Sequence, residues 1–254
     1  MKKAFDKDLV KDIGIDTSTS IAGMAAGIVL AGPTGVILGS IIAPVANVLL
    51  KRILTNREES RIRKTIELSS QKFKDNISKG ASLRKDINIL EFQQLTEGIL
   101  LKAKDTYEEK KISLIANLLA SAPFIPTPID NLNQSLIYAE QLSYRQLCLI
   151  AIVGTKWSEK LRLTDKPLSR QGKDAQLDER VEGVYSDLNH LLVLGLIGQI
   201  LSEDVGPAVA SGMYLISPAR LKLLYPGVLL YNGMNLGAID LEELKPLIKI
   251  LSGN

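Results

Sequence analysis

The chain's whole supply of thiol and imidazole is one cysteine, Cys148, and one histidine, His190. Zinc centres draw several of their ligands from Cys and His, so this supply excludes a multi-histidine metal site, an intrachain disulfide and chemistry that needs two histidines. Asp187 and His190 stand three apart and share a face if the segment is helical, yet no nucleophile can be assigned beside them. Asp187 is better used as the N-cap of a helix through Leu188, Leu191, Leu192 and Leu194. The carboxylates of Glu108-Glu109, Asp178-Glu179 and Glu242-Glu243 are sequence neighbours that point apart, so none makes an acid-base dyad. No G-x-S-x-G, G-x-x-x-x-G-K-S/T or G-x-G-x-x-G run occurs. The sequence is read as non-enzymatic, with neither a metal nor a cofactor.

The residue types that do suggest chemistry are cations. Between Lys51 and Lys85 there are eleven basic residues against four acidic ones, although the net charge of the whole chain is only +3. Ile62, Ile66, Phe73 and Ile77 recur at helical spacing among them, which predicts an amphipathic helix with a cationic face. Arg61, Arg63, Lys64, Lys72 and Lys74 are the candidate ligand-binding residues. Such a face can neutralise the backbone of a single-stranded oligonucleotide or similar polyanion. It can equally be a juxtamembrane helix drawn to anionic lipid. Trp157, between Lys156 and Lys160, is a candidate for stacking on a base or for covering an apolar seam.

Preceding these cations, Thr17 to Leu50 contains no Asp, Glu, Lys or Arg. A bilayer core of about 30 Å takes about 20 helical residues, so the run accommodates one tilted span or a hairpin turning at Gly32-Pro33. It starts too late and runs too long for a secretory leader. The downstream cations place the C-terminal bulk in the cytoplasm by the positive-inside rule. Gly23 with Gly27, and Gly35 with Gly39, form two small-xxx-small faces suited to helix packing in a membrane. The other reading is an apolar segment buried within a soluble assembly.

With 254 residues, 46% hydrophobic and 23% charged, the chain has ordinary globular composition. The expected organisation is an apolar membrane segment over 1–50, a basic helical domain over 51–154, a polar connecting segment over 155–186 and a C-terminal unit over 187–254. Helices are expected over 86–101, 105–119, 133–142 and 144–153, the last with Ser143 as N-cap and Cys148 in its apolar stripe. In the C-terminal unit, strands near 199–201 and 213–216 would form a hairpin. Ser217-Pro218 would open a helix ending at Pro226-Gly227, and Asp240 with Glu243 would cap the last helix. The fold class is all-α dominated with a small β-hairpin, and its C-terminal unit is winged-helix-like.

Three stretches carry a resemblance: Tyr107-Glu-Glu-Lys-Lys-Ile-Ser-Leu-Ile-Ala-Asn-Leu-Leu-Ala, Leu142-Ser-Tyr-Arg-Gln-Leu, and Leu194-Gly-Leu-Ile followed by Tyr214-Leu-Ile-Ser-Pro-Ala-Arg-Leu. They resemble the Abi-alpha type of bacterial phage-defence protein over about half the chain, with Ser217-Pro218-Ala219-Arg220 where that group has Thr-x-x-Gly. Joined to a glycine-rich apolar segment, the pattern is also similar to the membrane effectors of Hailong-like two-gene systems. That resemblance implies an abortive-infection effector in the bacterial inner membrane, soluble in its inactive state in one version. It implies a homo-oligomeric channel or pore, a tetramer being one expected size, restrained by single-stranded DNA from a partner nucleotidyltransferase. The alternative is a soluble oligomeric nucleic-acid-binding adaptor with a buried apolar helix.

Overall fold

A computed structural model describes residues 32–52, 54–84, 86–156, 159–168, 179–200 and 216–253. The described chain is mostly helical, with one two-stranded antiparallel sheet. It divides into two compact units, Met1–Tyr107 with Ile115–Pro126, and Glu108–Leu114 with Thr127–Asn254.

The first unit contains α1 (Gly32–Leu50), α2 (Asn56–Ser78), α3 (Ile89–Asp105) and the C-terminal turns of α4 (Glu109–Ser121). Helix α1 is the second half of the apolar run. It buries Leu38, Ile41, Ile42, Ala46 and Leu49 and packs chiefly on α3, with a smaller contact to α2. Those positions repeat every three or four residues, so one stripe is covered, while Pro44, Asn47 and Val48 are exposed. Among the described residues no helix is long and apolar enough to cross a membrane. The basic helix is not a continuation of the apolar one. The chain turns at Lys51 and Arg52, and Thr55 then starts α2 afresh with a capping box closed by Glu58. Thr-x-x-Glu is the sequence signature of that start.

The second unit is built around α6 (Tyr144–Thr155), in which nine residues are buried. Its Ser143 cap accepts from the Gln146 N–H, and the Gln146 side chain returns to the Ser143 N–H, as the expected cap requires. Packed on α6 are α7 (Glu179–Val193), α8 (Tyr225–Gly233), α9 (Leu241–Ser252) and strand β2 (Leu221–Leu223), while α5 (Ile129–Gln141) packs on α8. Strand β1 (Ile197–Gln199) pairs with β2 in the register Ile197–Leu223 and Gln199–Leu221.

This pairing corrects the expected hairpin. Residues 201–215, which include most of the strand expected near 213–216, lie outside the described residues, and among the described residues Ile216 makes an isolated bridge to Leu168. Ser217-Pro218 opens a 3-10 turn of three residues instead of a helix, because Leu221–Leu223 gains strand hydrogen bonds on β1. Pro226-Gly227 begins α8 instead of ending a helix. Proline is tolerated in a first turn, where its missing N–H has no helical partner. A Cβ on Gly227 would collide with the Leu196 carbonyl oxygen, so the strand-side backbone packs directly on this helix start.

Asp187 is also relocated. The α7 helix starts at Glu179, so Asp187 lies in its interior and takes side-chain partners from α6. The helix ends at Val193, and Gly195 follows at φ +67. Asp240 caps α9 through the Glu242 N–H, whereas Glu243 closes no capping box and binds Lys110 and the Tyr144 hydroxyl.

Candidate polyanion-binding face

Helix α2 sorts its side chains by rotation, and polarity does not predict the outcome at every position. Its buried line contains Ile62, Ile66 and Phe73, but also Arg61, Thr65, Ser69 and Ser70. The inward hydroxyls satisfy themselves locally: Thr65 Oγ1 donates to the Arg61 carbonyl at 2.8 Å, and Ser70 Oγ donates to that of Ile66 at 2.6 Å. Ser69 Oγ reaches the Ala116 carbonyl of α4 at 3.0 Å, and Asn76 Nδ2 reaches that of Ala120 at 3.3 Å. Small polar residues thus let α2 and α4 approach with their backbone acceptors paired.

Arg61 therefore leaves the expected polar face. It is 8% exposed, and its Nη1 donates to the Lys104 carbonyl in the last turn of α3 at 3.1 Å. A guanidinium at a helix C-terminus meets both an unpaired carbonyl and the negative end of the helix dipole. The adjoining start of α2 is fastened electrostatically, with Lys104 Nζ 3.3 Å from Glu58 and 2.6 Å from Asp105. Hydrogen bonds from the Thr55 backbone and hydroxyl hold the Glu58 carboxyl below its ordinary value.

The outward stripe of α2 contains Arg57, Ser60, Lys64, Glu67, Gln71 and Lys74, all exposed. Lys72 is half-buried, and Arg63 is paired with Glu59 at 2.6 Å. Of the five expected cations, Lys64 and Lys74 lie on this outward stripe, and Lys72, two positions from Lys74, lies round the helix from it. Lys64 and Lys74 stand about 15 Å apart along the axis at 1.5 Å per residue. An open groove of about 580 Å³ lies at the start of this stripe, lined by Asn56, Glu59, Ser60, Arg63, Lys64 and Glu67. Its two cations face two carboxylates, so the groove itself has no excess charge. The cationic excess lies beyond it, toward Lys72 and Lys74.

Trp157, Gly23 and Gly27 lie outside the described residues, whereas Gly35 and Gly39 both belong to α1 and Gly39 is buried. Cys148 is buried, and burial pushes its thiol up to about 11, which suppresses thiolate reactivity.

A second polar cluster, in the other unit, joins Asp187 and His190 of α7 to Arg145 and Gln146 of α6. Asp187 accepts from Arg145 Nε and, at 3.1 Å, from Gln146 Nε2, which also lies 3.0 Å from His190 Nδ1. Because the Gln146 carbonyl oxygen accepts the Ser143 N–H, its NH2 group must face Asp187 and His190. His190 Nδ1 is then an acceptor, and its Nε2 carries the proton. The Ser143 hydroxyl is engaged in its cap, so this cluster fastens α7 to α6 and offers no nucleophile. Among the described residues no group of three His, Cys, Asp or Glu could hold a metal ion.

Comparison with protein families, with curated proteins and with solved structures returns no match for this chain.

Proposed function

We propose that the protein is a membrane-acting effector of bacterial antiphage defence, an oligomeric channel or pore kept closed while a polyanion occupies α2. Single-stranded DNA is the polyanion of first choice. The observation that carries this reading is the composition of one small unit. Helix α1 lays its apolar stripe on α3 and α2, and α2 presents Lys64 and Lys74 outward. A ligand bound across α2 and a helix docked beside it share the same scaffold, so ligand preference for one arrangement becomes stability of that arrangement. The membrane segment, the inner-membrane location, the homo-oligomer and the partner nucleotidyltransferase belong to this proposal. So does a winged-helix-like role in assembly for the helix–strand–strand–helix order from Glu179 to Gly233.

A second reading, a soluble nucleic-acid-binding adaptor, is favoured by one specific observation: the described part of the apolar run is packed within a helical unit. The two readings separate in one experiment with the full chain, which measures dye release from anionic vesicles with and without oligo-dT, alongside a gel shift. The effector reading expects release that oligo-dT suppresses. The adaptor reading expects oligo-dT binding without release. In the gel shift, Lys64→Gln/Lys72→Gln/Lys74→Gln is expected to abolish binding. Three phosphate contacts give a slope of about −2 in log affinity against log salt. Equal binding by the triple variant and the wild type contradicts the α2 site.

A further inference from the structure

Helix α8 turns its small residues inward and larger ones outward. Its buried side carries Gly227, Leu230 and Gly233, whereas Tyr225, Val228, Leu229 and Asn232 recur at i, i+3, i+4 and i+7 on the solvent side. Tyr225 is 64% and Val228 38% exposed, Asn232 is exposed and Leu229 is half-buried. Helix α5 continues this face, because Asn131 Nδ2 donates to the Tyr225 hydroxyl at 3.4 Å and shares a line with exposed Gln134 and half-buried Tyr138. The face is almost free of charge. Leu223–Ile239 contains no Asp, Glu, Lys or Arg, and Lys222 and Asp240, of opposite sign, close that stretch. Ile129–Ala139 contains Asp130 alone, which borders the face one turn before Gln134. Tyr231 turns away from the face to meet Gly154 of α6, with Glu159 nearby. The outward sides of α7 and α9, in the same unit, carry instead Glu179, Arg180 and Glu182, and Glu242, Lys245 and Lys249.

We infer that the α5–α8 face binds the same face of a second copy of this chain about a two-fold axis, with Val228 at the centre of the contact and Tyr225 as its aromatic anchor. Exposed tyrosine beside aliphatic side chains, with charge depleted, is the composition of an interface centre. Polyanions and anionic bilayers need cations that this face lacks, and a hydrocarbon interior would strip Asn131, Gln134 and Asn232 of hydrogen bonds. A second copy suits the face on both counts. A two-fold contact here sets no like charges opposite each other at its centre, and amides and hydroxyls, each donor and acceptor at once, pair with their own kind across the axis. A face two short helices wide, about 20 Å on a side, falls short of the roughly 800 Å² per partner of a standard interface, so the dimer is reversible. The contact would serve the oligomer of the proposed function but does not rest on it, since a soluble adaptor could dimerise in the same way.

The test is sedimentation equilibrium of the full chain between about 1 and 100 μM, which is expected to show reversible self-association. Val228→Lys and Val228→Glu each place like charges across the axis and are expected to weaken association by about tenfold or more, with the wild-type circular dichroism retained. Mixing the two variants in equal amounts is expected to restore it, because Lys then meets Glu. Asn232→Lys and Asn232→Glu, one turn away at an exposed position, form a second such pair and decide the matter if the Val228 variants do not fold. Wild type that stays monomeric throughout overturns the inference. So does association that the single variants leave unchanged, or that fails to return on mixing. Binding of the monomer to phosphatidylcholine vesicles, lost in Val228→Lys, would also overturn it and make lipid the occupant. Dye release from vesicles is read separately, so failure of the dimer and failure of the effector reading remain distinguishable.

Discussion

Two apolar helices in this chain are buried in different ways. Helix α6 is covered on most sides, with Gln146 through Val153 all buried, and its start is locked by a complete capping box. Helix α1 covers a single stripe and leaves Pro44, Asn47 and Val48 to solvent. The described residues of that stripe are apolar, and the junction beyond it carries the exposed Arg52–Glu97 pair at 3.4 Å. Exposed ion pairs contribute about 0–1 kcal/mol. A helix covered all round is a core that cannot leave without unfolding its unit, whereas a helix covered on one stripe can be undocked as a body. Apolarity alone therefore does not distinguish a permanent core from a detachable element; the fraction of the circumference that is covered does.

The largest expected effect lies in the first kind of helix. Leu149→Ala, at a fully buried position in α6, should cost about 2–5 kcal/mol of global stability, read from denaturant unfolding. A loss below 1 kcal/mol would mean that α6 is not the centre of its unit. Gly227→Ala should cost about 1–3 kcal/mol, because its Cβ meets the Leu196 backbone, which cannot rotate away.

Lys111→Met sharpens the same side of the comparison. Lys111 is buried, and its Nζ donates to the Glu140 and Leu142 carbonyls at 3.2 and 2.6 Å, so the variant should lose about 1–3 kcal/mol by leaving them unpaired. Burial also lowers its ammonium below the ordinary value of 10.5. The Lys111 side chain then binds more protons in the unfolded chain just below 10.5, so the stability of the wild type relative to Lys111→Met should rise with pH in that alkaline window.

Ile41→Ala probes the other helix. It should leave the main unfolding transition nearly unchanged while speeding amide exchange across α1, because only docking is weakened. A drop in global stability as large as that of Leu149→Ala would erase the distinction between the two helices. The smallest effect belongs to Asp86, held at about 2 by the hydrogen bond from Arg84, against an ordinary 3.8. A depressed carboxylate stabilises the fold above about pH 3.8 and loses that contribution as pH falls toward 2. Asp86→Asn should therefore flatten the acid limb of unfolding in that interval.

What the sequence made legible follows from the same physics. The helix from Tyr144 was readable because Ser143 and a continuous apolar run agree. The start of α2 is legible from Thr55 and Glu58, which have the spacing of a capping box. Arg61 was misplaced because a hydropathy pattern assigns every guanidinium to solvent. Its inward position depends on a carbonyl at Lys104, more than forty positions away, which no local pattern reports. The β1–β2 pairing is likewise non-local. A Pro-Gly pair reads as a stop until the strand that it packs against is known. The Gln146 link between Asp187 and His190 was invisible for a related reason, since it comes from another helix.

The most direct test of the central claim, that α1 is held closed by its seat and acts on membranes when undocked, alters the seat and leaves α1 intact. Leu95 and Ile99 are buried on α3, the helix on which α1 chiefly packs, and Leu95→Ala/Ile99→Ala trims the apolar surface of α3 without changing the composition of the Thr17–Leu50 run. The measurement is dye release from anionic vesicles by the full-length variant, with amide exchange across Leu38–Leu50 followed in the same sample. The account predicts faster exchange in α1 together with severalfold greater release than wild type. Faster exchange with release unchanged or reduced would contradict it and make α1 an ordinary structural helix.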